Sequence, residues 1–85
     1  MSARSVILRD ALGPESLFAA RYAYNASGDV EYIGLAEPGT TDDQPKWIIK
    51  KIVYDGQRRQ VASLFAGGRI KFDQVWNSRE SATYQ

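Results

Sequence analysis

The chain has 85 residues and a formal net charge of +1, is 44% hydrophobic and 12% aromatic, and contains no cysteine and no histidine. This length allows one small domain with a marginal core, and the apolar and aromatic content excludes a disordered chain. Without cysteine or histidine the chain lacks disulfides, zinc-thiolate sites and the commonest general base. We therefore expect a compact domain that gains stability from a partner subunit.

The charges are distributed unevenly along the chain. Residues 1–45 carry three cations and seven anions, a net charge of −4, whereas residues 46–71 carry seven cations and one anion, a net charge of +6. Such asymmetry is typical of a nucleic-acid-binding face. It is equally typical of head-to-tail assembly, in which the acidic part of one copy meets the basic part of the next.

Residues 1–20 are predicted to form an N-terminal arm that is a strand or a short helix. Residues 6–8 are an apolar run, and Gly13-Pro14 interrupts any continuous element. The charged pair that follows the run ends it before a signal-peptide core is reached, and no stretch approaches the ~20 apolar residues of a membrane span. We therefore expect a protein made in a cytoplasm, with no membrane partner.

From residue 21 the apolar residues follow the period of two that is typical of β-strands. Tyr22 and Tyr24 share one face, a turn at residues 25–29 follows, and the alternation resumes through Val30 and Tyr32. These two segments predict a β-hairpin. The polar loop that follows has neighbouring acids without the ligand spacing of a calcium site.

The longest strand signal covers residues 46–54, with apolar side chains on both faces, which is typical of a central strand covered on two sides. Asp55-Gly56 predicts a type I′ hairpin turn, with positive φ at both central positions. Residues 60–66 are predicted to return as the partner strand. A pair of glycines then forms the next turn, and residues 70–76 alternate as a last strand.

These segments predict a mainly β fold, with residues 21–76 as a small antiparallel β-meander of about five strands. A sandwich and a partly open barrel are both compatible with such a meander. A short irregular or helical segment precedes it. Residues 77–85 are predicted to be a polar tail, in which only Tyr84 needs an apolar surface to pack on.

The residue types that could carry chemistry do not indicate an enzyme. The serines have no histidine to activate them, and none stands in a Gly-x-Ser-x-Gly motif. The acids on predicted strands alternate with apolar residues, as they do on a solvated face. We therefore predict no catalytic residue, no cofactor and no metal site.

A single-stranded nucleic-acid-binding small β-barrel is one alternative, because cations and aromatic residues interleave on adjacent predicted strands. The candidate contacts are Lys50, Lys51, Arg58, Arg59 and Arg69. If the aromatic residues fill a core, however, no stacking platform remains. A net charge near zero also makes attraction to phosphate weak at physiological salt. We therefore do not expect nucleic acid as the partner.

A run of short motifs extends from residue 31 onward. The motifs are Tyr32-Ile33-Gly34-Leu35-Ala36, Pro38-Gly39-Thr40-Thr41, Trp47-Ile48-Ile49, Tyr54-Asp55-Gly56, Phe65-Ala66-Gly67-Gly68 and Phe72-Asp73-Gln74-Val75-Trp76-Asn77-Ser78-Arg79. In this order and spacing they resemble a family of small virion proteins encoded by tailed bacteriophages. Phe65 stands where the family run has tryptophan, and residues 1–30 lie outside the resemblance.

The resemblance implies a non-enzymatic structural component of a phage particle, on its tail, neck or capsid surface, assembled in the host cytoplasm. Its partners would be other virion proteins and further copies of itself in a homo-oligomer or symmetric assembly. Trp76, Arg79 and Tyr84 are candidate assembly contacts, because these residue types anchor interfaces. For Trp76, a place in the core stays open as well.

Two further interpretations depend on the basic hairpin. Arg58 and Arg59 are expected to face solvent at the sheet edge, where they could meet an acidic neighbour such as residues 37–43 of another copy. A phage-encoded inhibitor of a host protein is the last alternative. Such a protein would also act through protein contacts, but it would be missing from the particle.

Overall fold

The computed structural model describes residues 17–85, and over these residues the chain is mainly β. β1 (Ala19–Tyr24), β2 (Val30–Ala36), β3 (Pro45–Tyr54) and β4 (Gln60–Phe65) form an antiparallel sheet in chain order. The short strand β5 (Gln74–Val75) pairs with the start of β3, and a 3-10 helix follows at Trp76–Ser81. The predicted antiparallel meander is confirmed, and the sheet is not closed into a barrel.

Two boundaries differ from the prediction. β1 begins at Ala19, inside the predicted arm of residues 1–20, and the rest of that arm lies outside the described residues. Residues 77–85 are not a free tail, because they continue the 3-10 helix and then return to the sheet, where Tyr84 forms an antiparallel bridge with Ala66. The tyrosine that needed an apolar surface finds it on its own sheet.

The predicted strand over residues 70–76 is wrong except for its last third. Only β5 pairs with a neighbour, and Trp76 already begins the 3-10 helix. Gly67 and Gly68 have φ angles of 75° and 71°, which take the backbone away from the line of β4. Ile70 is consequently 76% exposed. The residue types do alternate, but within residues 17–85 no strand pairs with residues 70–73.

The two long hairpins close through turns of the same design. The turns are Asn25–Asp29 and Asp55–Arg59. In each, the side chain of the first residue accepts hydrogen bonds from the third and fifth backbone amides, at 2.9–3.0 Å. The fourth residue has a positive φ, 86° at Gly28 and 62° at Arg58. The predicted type I′ turn at Asp55-Gly56 is therefore wrong, because the capping aspartate opens a longer loop and moves the positive φ to Arg58.

The main cluster of buried residues lies on one face of the sheet, which we call the covered face. Its buried residues are Tyr32, Ala36, Trp47, Ile49, Ala66 and Trp76. The 3-10 helix lays Trp76 over the sheet, with its ring centroid 6.1 Å from that of Trp47. The Trp47 indole N–H donates to the Thr41 carbonyl at 2.9 Å, so this buried polar group is satisfied.

Gly34 makes the close approach of the two indoles possible. A Cβ atom at this position would lie 2.6 Å from Cε3 of Trp76 and 3.2 Å from Cε3 of Trp47. Such distances are shorter than van der Waals contact, so any side chain here would push the 3-10 helix off the sheet. Gly34 thus serves packing and not backbone conformation.

We expect Gly34→Ala to lower the free energy of unfolding by about 1–3 kcal/mol, because a methyl group overpacks the contact between the two rings. Gly56→Ala is the matched control, since nothing lies within 4 Å of the position of its Cβ and its φ is not positive. The control should change stability by less than about 0.5 kcal/mol. Urea unfolding followed by circular dichroism measures both, and equal effects would contradict this role of Gly34.

Candidate assembly surface

The second face of the sheet has no described strand or helix packed across it, and we call it the open face. Strand register and the alternation of side chains place its residues. They include Ala20, Tyr22, Ile33, Leu35, Ile48, Lys50, Ile52, Ser63 and Phe65. Tyr22, Ile33, Lys50 and Phe65 form one continuous row across four strands. Apart from the Lys50 ammonium group, the Tyr22 phenol and the Ser63 hydroxyl, these side chains are apolar, and Ile52 among them is only 5% exposed.

A shallow depression of about 200 Å³ lies within the open face. Ile33, Leu35, Ile48, Lys50 and Phe65 line it. All but Lys50 are apolar, and the lysine stem can lie along their side chains while its ammonium group stays in water. The depression offers contact area to an apolar partner, and Lys50 is its one charged lining residue.

A larger cavity, of about 520 Å³, lies at the end of the sheet where β1 begins. Its lining residues are Leu17, Phe18, Glu37, Pro38, Lys46 and Phe72. Phe18 and Phe72 stack with ring centroids 5.8 Å apart and an interplanar angle of 26°. Phe18 stands two residues before Ala20 and Glu37 two residues after Leu35, so this cavity adjoins the open face at that end of the sheet. We include it in that surface.

The open face carries apolar surface that small monomers ordinarily bury. Tyr22 is 45% exposed and Phe72 is 47% exposed. Contiguous apolar patches rimmed by charged groups mark interaction surfaces, and here Glu37 and Lys46 supply such a rim. The arrangement is suited to binding a complementary protein surface.

The apolar residues on both faces of β3 are the part of the sequence that indicates this surface. β3 has apolar residues on both faces, which predicted a strand covered on two sides. The 3-10 helix covers the side of Trp47 and Ile49 and leaves Ile48 in the depression of the open face, whereas Ile52 on that same face is only 5% exposed. Alternation identifies the two faces of a strand but not which of them a neighbouring element will cover.

The three predicted assembly contacts come together, but inside the fold. Trp76 is 5% exposed, which supports its alternative place in the core. The Arg79 guanidinium carbon lies 4.6 Å from the centroid of the Trp76 ring, and its Nη1 donates to the Trp76 carbonyl at 3.2 Å. The Tyr84 hydroxyl donates to the Arg79 carbonyl at 2.7 Å. This trio closes one end of the covered face.

The cations proposed as nucleic-acid contacts do not form one patch. Lys50 lies on the open face, whereas Lys51 lies on the covered face, with its Nζ 5.8 Å from the ring centroids of Tyr32 and Tyr84. The three arginines lie close to carboxylates of the same molecule. The pairs are Arg58–Asp29 at 2.9 Å, Arg59–Asp55 at 2.7 Å and Arg69–Asp73 at 3.5 Å.

The Arg58–Asp29 pair joins the two hairpin turns. Nε and Nη2 of Arg58 donate to the two oxygens of Asp29 at 2.9 and 3.0 Å, and Nη2 also donates to the Ser27 carbonyl at 3.1 Å. These bonds hold the pKa of Asp29 below its usual value and raise that of Arg58. The backbone amide of Arg59, followed by its guanidinium, likewise lowers the pKa of Asp55.

The acidic loop of residues 37–43 also has internal partners. Asp42 accepts from Nε of Arg21 at 2.9 Å, and the Arg21 guanidinium carbon lies 5.2 Å from the centroid of the Trp47 ring. Asp43 accepts from the Thr41 hydroxyl at 2.6 Å. Contact between this loop and the arginine pair of another copy would therefore exchange existing ion pairs rather than satisfy free charges.

Metal and membrane sites receive no support within residues 17–85. No group of three or more acidic side chains there could hold a metal ion. No helix in this part of the chain is long and apolar enough to cross a membrane. Comparison of the chain with known protein families, with curated proteins and with solved structures gives no match.

The packing of Tyr84 predicts a dependence of stability on alkaline pH. Burial, followed by the nearby Tyr32, raises the pKa of Tyr84 to about 12. A tyrosine in the unfolded chain ionises near pH 10, so the fold favours the neutral phenol. The stabilisation is complete below about pH 10 and is lost as the pH rises from there toward about 12.

Tyr84→Phe should reduce the loss of stability between about pH 10 and 12. At pH 7 the variant should be less stable by about 0.5–1.5 kcal/mol, because it lacks the bond to the Arg79 carbonyl. Tyr24→Phe is the matched control, since Tyr24 is exposed. Urea unfolding at pH 7 and at several alkaline values measures the slope. An unchanged alkaline slope in Tyr84→Phe would contradict the assignment.

Proposed function

We propose that the protein is a non-enzymatic structural component of a tailed-bacteriophage particle, acting through protein–protein contacts of its open face. It would lie on the tail, neck or capsid surface after assembly in the host cytoplasm. The observation that carries the proposal is the open face itself, an apolar surface that continues into the 520 Å³ cavity beside Phe18 and Phe72. Its partners would be other virion proteins and further copies of the chain.

The energetics of a small domain support an assembly role. A sheet with one covered face exposes much of its apolar surface as a monomer, and burying that surface against a partner contributes roughly 25 cal/mol for each Å² removed from water. The covered face offers few further contacts, because Trp47 and Trp76 are already buried. Association through the open face would add stability that the core of an 85-residue chain does not supply.

The resemblance to virion proteins is compatible with this packing. Gly34, Trp47 and Trp76 belong to three separate motifs of the run, and their atoms meet at one point of the core. Arg79, the last residue of the run, packs on the Trp76 ring. The motifs therefore supply residues that pack against one another, and a packing role needs no catalytic group. The surfaces that select a partner lie outside this group of residues.

The distribution of cations favours protein contacts over nucleic acid. Phosphate binding depends on unpaired cations gathered on one surface. Here three of the five candidate cations lie within 4 Å of carboxylates, and Lys50 and Lys51 face opposite sides of the sheet. The open face presents Lys50 among apolar side chains instead.

Mass spectrometry of purified particles of the encoding phage tests the proposal. We expect the protein in the particle band of a density gradient, at a constant ratio to the major virion proteins. A protein that is missing from particles but recovered with one host protein would replace this proposal with the host-inhibitor alternative.

Single substitutions test the surface. Tyr22→Lys and Phe72→Lys place a charge on the open face and should reduce the amount of protein in particles by roughly tenfold or more, because burying an unpaired charge is costly. Ile70→Lys is the matched control, since Ile70 is 76% exposed and lies outside the sheet. Circular dichroism verifies that each variant is folded. Equal incorporation of all three variants would show that the open face is not the contact surface.

A further inference from the structure

One row of the open face holds a projecting side chain beside a recess. Tyr22, Ile33, Lys50 and Phe65 follow one another across β1 to β4, and the last three line the depression of about 200 Å³. Tyr22 does not line it and is 45% exposed. β1 and β3 are two strand spacings apart, so Tyr22 lies about 10 Å from Lys50 along the row. A projection and a recess thus stand at the same level of one sheet.

Lys50 brings a positive charge without a partner into this recess. Within residues 17–85 it has neither an ion pair nor a cation–π contact. Its neighbour Lys51, on the covered face, has its Nζ 5.8 Å from the ring centroids of Tyr32 and Tyr84. An aromatic ring placed over Lys50 from another molecule would give its ammonium group the same kind of contact.

A second copy of the same face supplies such a ring. A contact about a twofold axis is made by the same patch on both molecules, so the patch has to be complementary to itself. When two open faces meet about a twofold axis that runs parallel to β2, β1 of each copy lies over β3 of the other. Tyr22 then lies over Lys50 of the second copy, because both residues belong to one row, and Ile33 meets Ile33 at the axis.

The same geometry keeps like charges apart. The two Lys50 residues are displaced from each other by about two strand spacings across the axis and by the ~10 Å that separates packed sheets. Each ammonium group therefore faces a ring rather than the other ammonium group. An axis parallel to β3 would instead set the two lysines opposite each other within an apolar contact, which is costly.

The size of the face limits the strength of the contact. Three overlapping strands, about 4.8 Å apart and six residues long as β1 is, present roughly 300 Å² of face from each copy. A standard interface buries about 800 Å² of accessible surface on each partner. We therefore expect a weak dimer that forms between roughly 0.1 and 1 mM.

We propose that two copies of the chain pack open face to open face about a twofold axis parallel to β2, with Tyr22 of each copy seated over Lys50 and the depression of the other. The two sheets form an aligned β-sandwich, with the aliphatic residues Ile33, Leu35 and Ile48 between them. The inference rests on the proposed assembly function and deepens it, because it names a second copy as the partner of the open face and fixes how the two copies lie.

Two substitutions of opposite charge at Tyr22 test this arrangement. Tyr22→Glu sets a carboxylate over Lys50 of the second copy, whereas Tyr22→Lys sets a second ammonium group there. In sedimentation of the full-length chain, we expect Tyr22→Lys to raise the dissociation constant of the dimer by roughly tenfold or more. Tyr22→Glu should keep it within about threefold of the unmodified chain, because an ion pair replaces the contact with the ring. Circular dichroism verifies that both variants are folded.

A charge exchange and a remote control complete the measurement. Tyr22→Lys combined with Lys50→Glu restores opposite charges across the axis, so this double variant should recover most of the affinity that Tyr22→Lys loses. Ile70→Lys is the matched control, since Ile70 is 76% exposed and lies outside the sheet, and it should change the dissociation constant by about twofold at most. Equal dissociation constants for Tyr22→Glu and Tyr22→Lys, or a strictly monomeric chain at about 1 mM, would overturn the inference. Either result would leave the open face to another occupant, such as residues 1–16 or a different virion protein.

The two proposals fail separately. A monomeric chain that is present in purified particles would remove only the second copy as the partner of the open face. A chain that dimerises with the expected charge dependence and is missing from particles would remove only the role in the virion. Dimerisation and particle content are therefore measured on the same set of variants.

Discussion

The contact between two indoles over a glycine is the constraint on which the rest of this structure depends. Gly34 leaves room for Trp76 to lie on the sheet beside Trp47, with the Trp76 ring 2.6 Å from where a Cβ would be. This places the 3-10 helix, and with it Arg79 and the hydroxyl bond of Tyr84, over one face only. The sheet therefore has one face covered by the 3-10 helix and one face on which no described element packs. The buried aromatic residues of this small domain therefore pack in one layer, on the covered face.

The packing of the covered face also determines which residues remain on the open face. The two tryptophans pack on the covered face, so the open face consists mainly of aliphatic residues with Tyr22, Phe65 and Lys50, and no second layer of described residues packs on it. Its composition is suited to a broad apolar contact. Residues 83–85 pair with the chain at Phe65 and Gly67, at the end of β4.

The uneven charge along the chain is partly compensated within the molecule. Arg58 comes from the basic segment and Asp29 from the acidic one, and antiparallel pairing brings their two turns to the same end of the sheet. Arg21 and Asp42 make a similar pair across a longer loop. Exposed pairs of this kind add little stability. Their main effect is to place three of the seven cations of residues 46–71 beside carboxylates of the same molecule.

The sequence by itself determined the fold class, the meander from β1 to β4 and the positions of the long hairpins, because period-two alternation and turn residues are local properties. Only the tertiary structure decided the rest. Residues 70–76 alternate like a strand, yet only Gln74 and Val75 pair with a described neighbour. Tyr84 stands in a predicted polar tail and needs an apolar surface, but only the structure shows that this surface includes Tyr32. Contacts between residues far apart in the chain decide which face is covered and which arginine pairs with a carboxylate. No local pattern encodes such contacts.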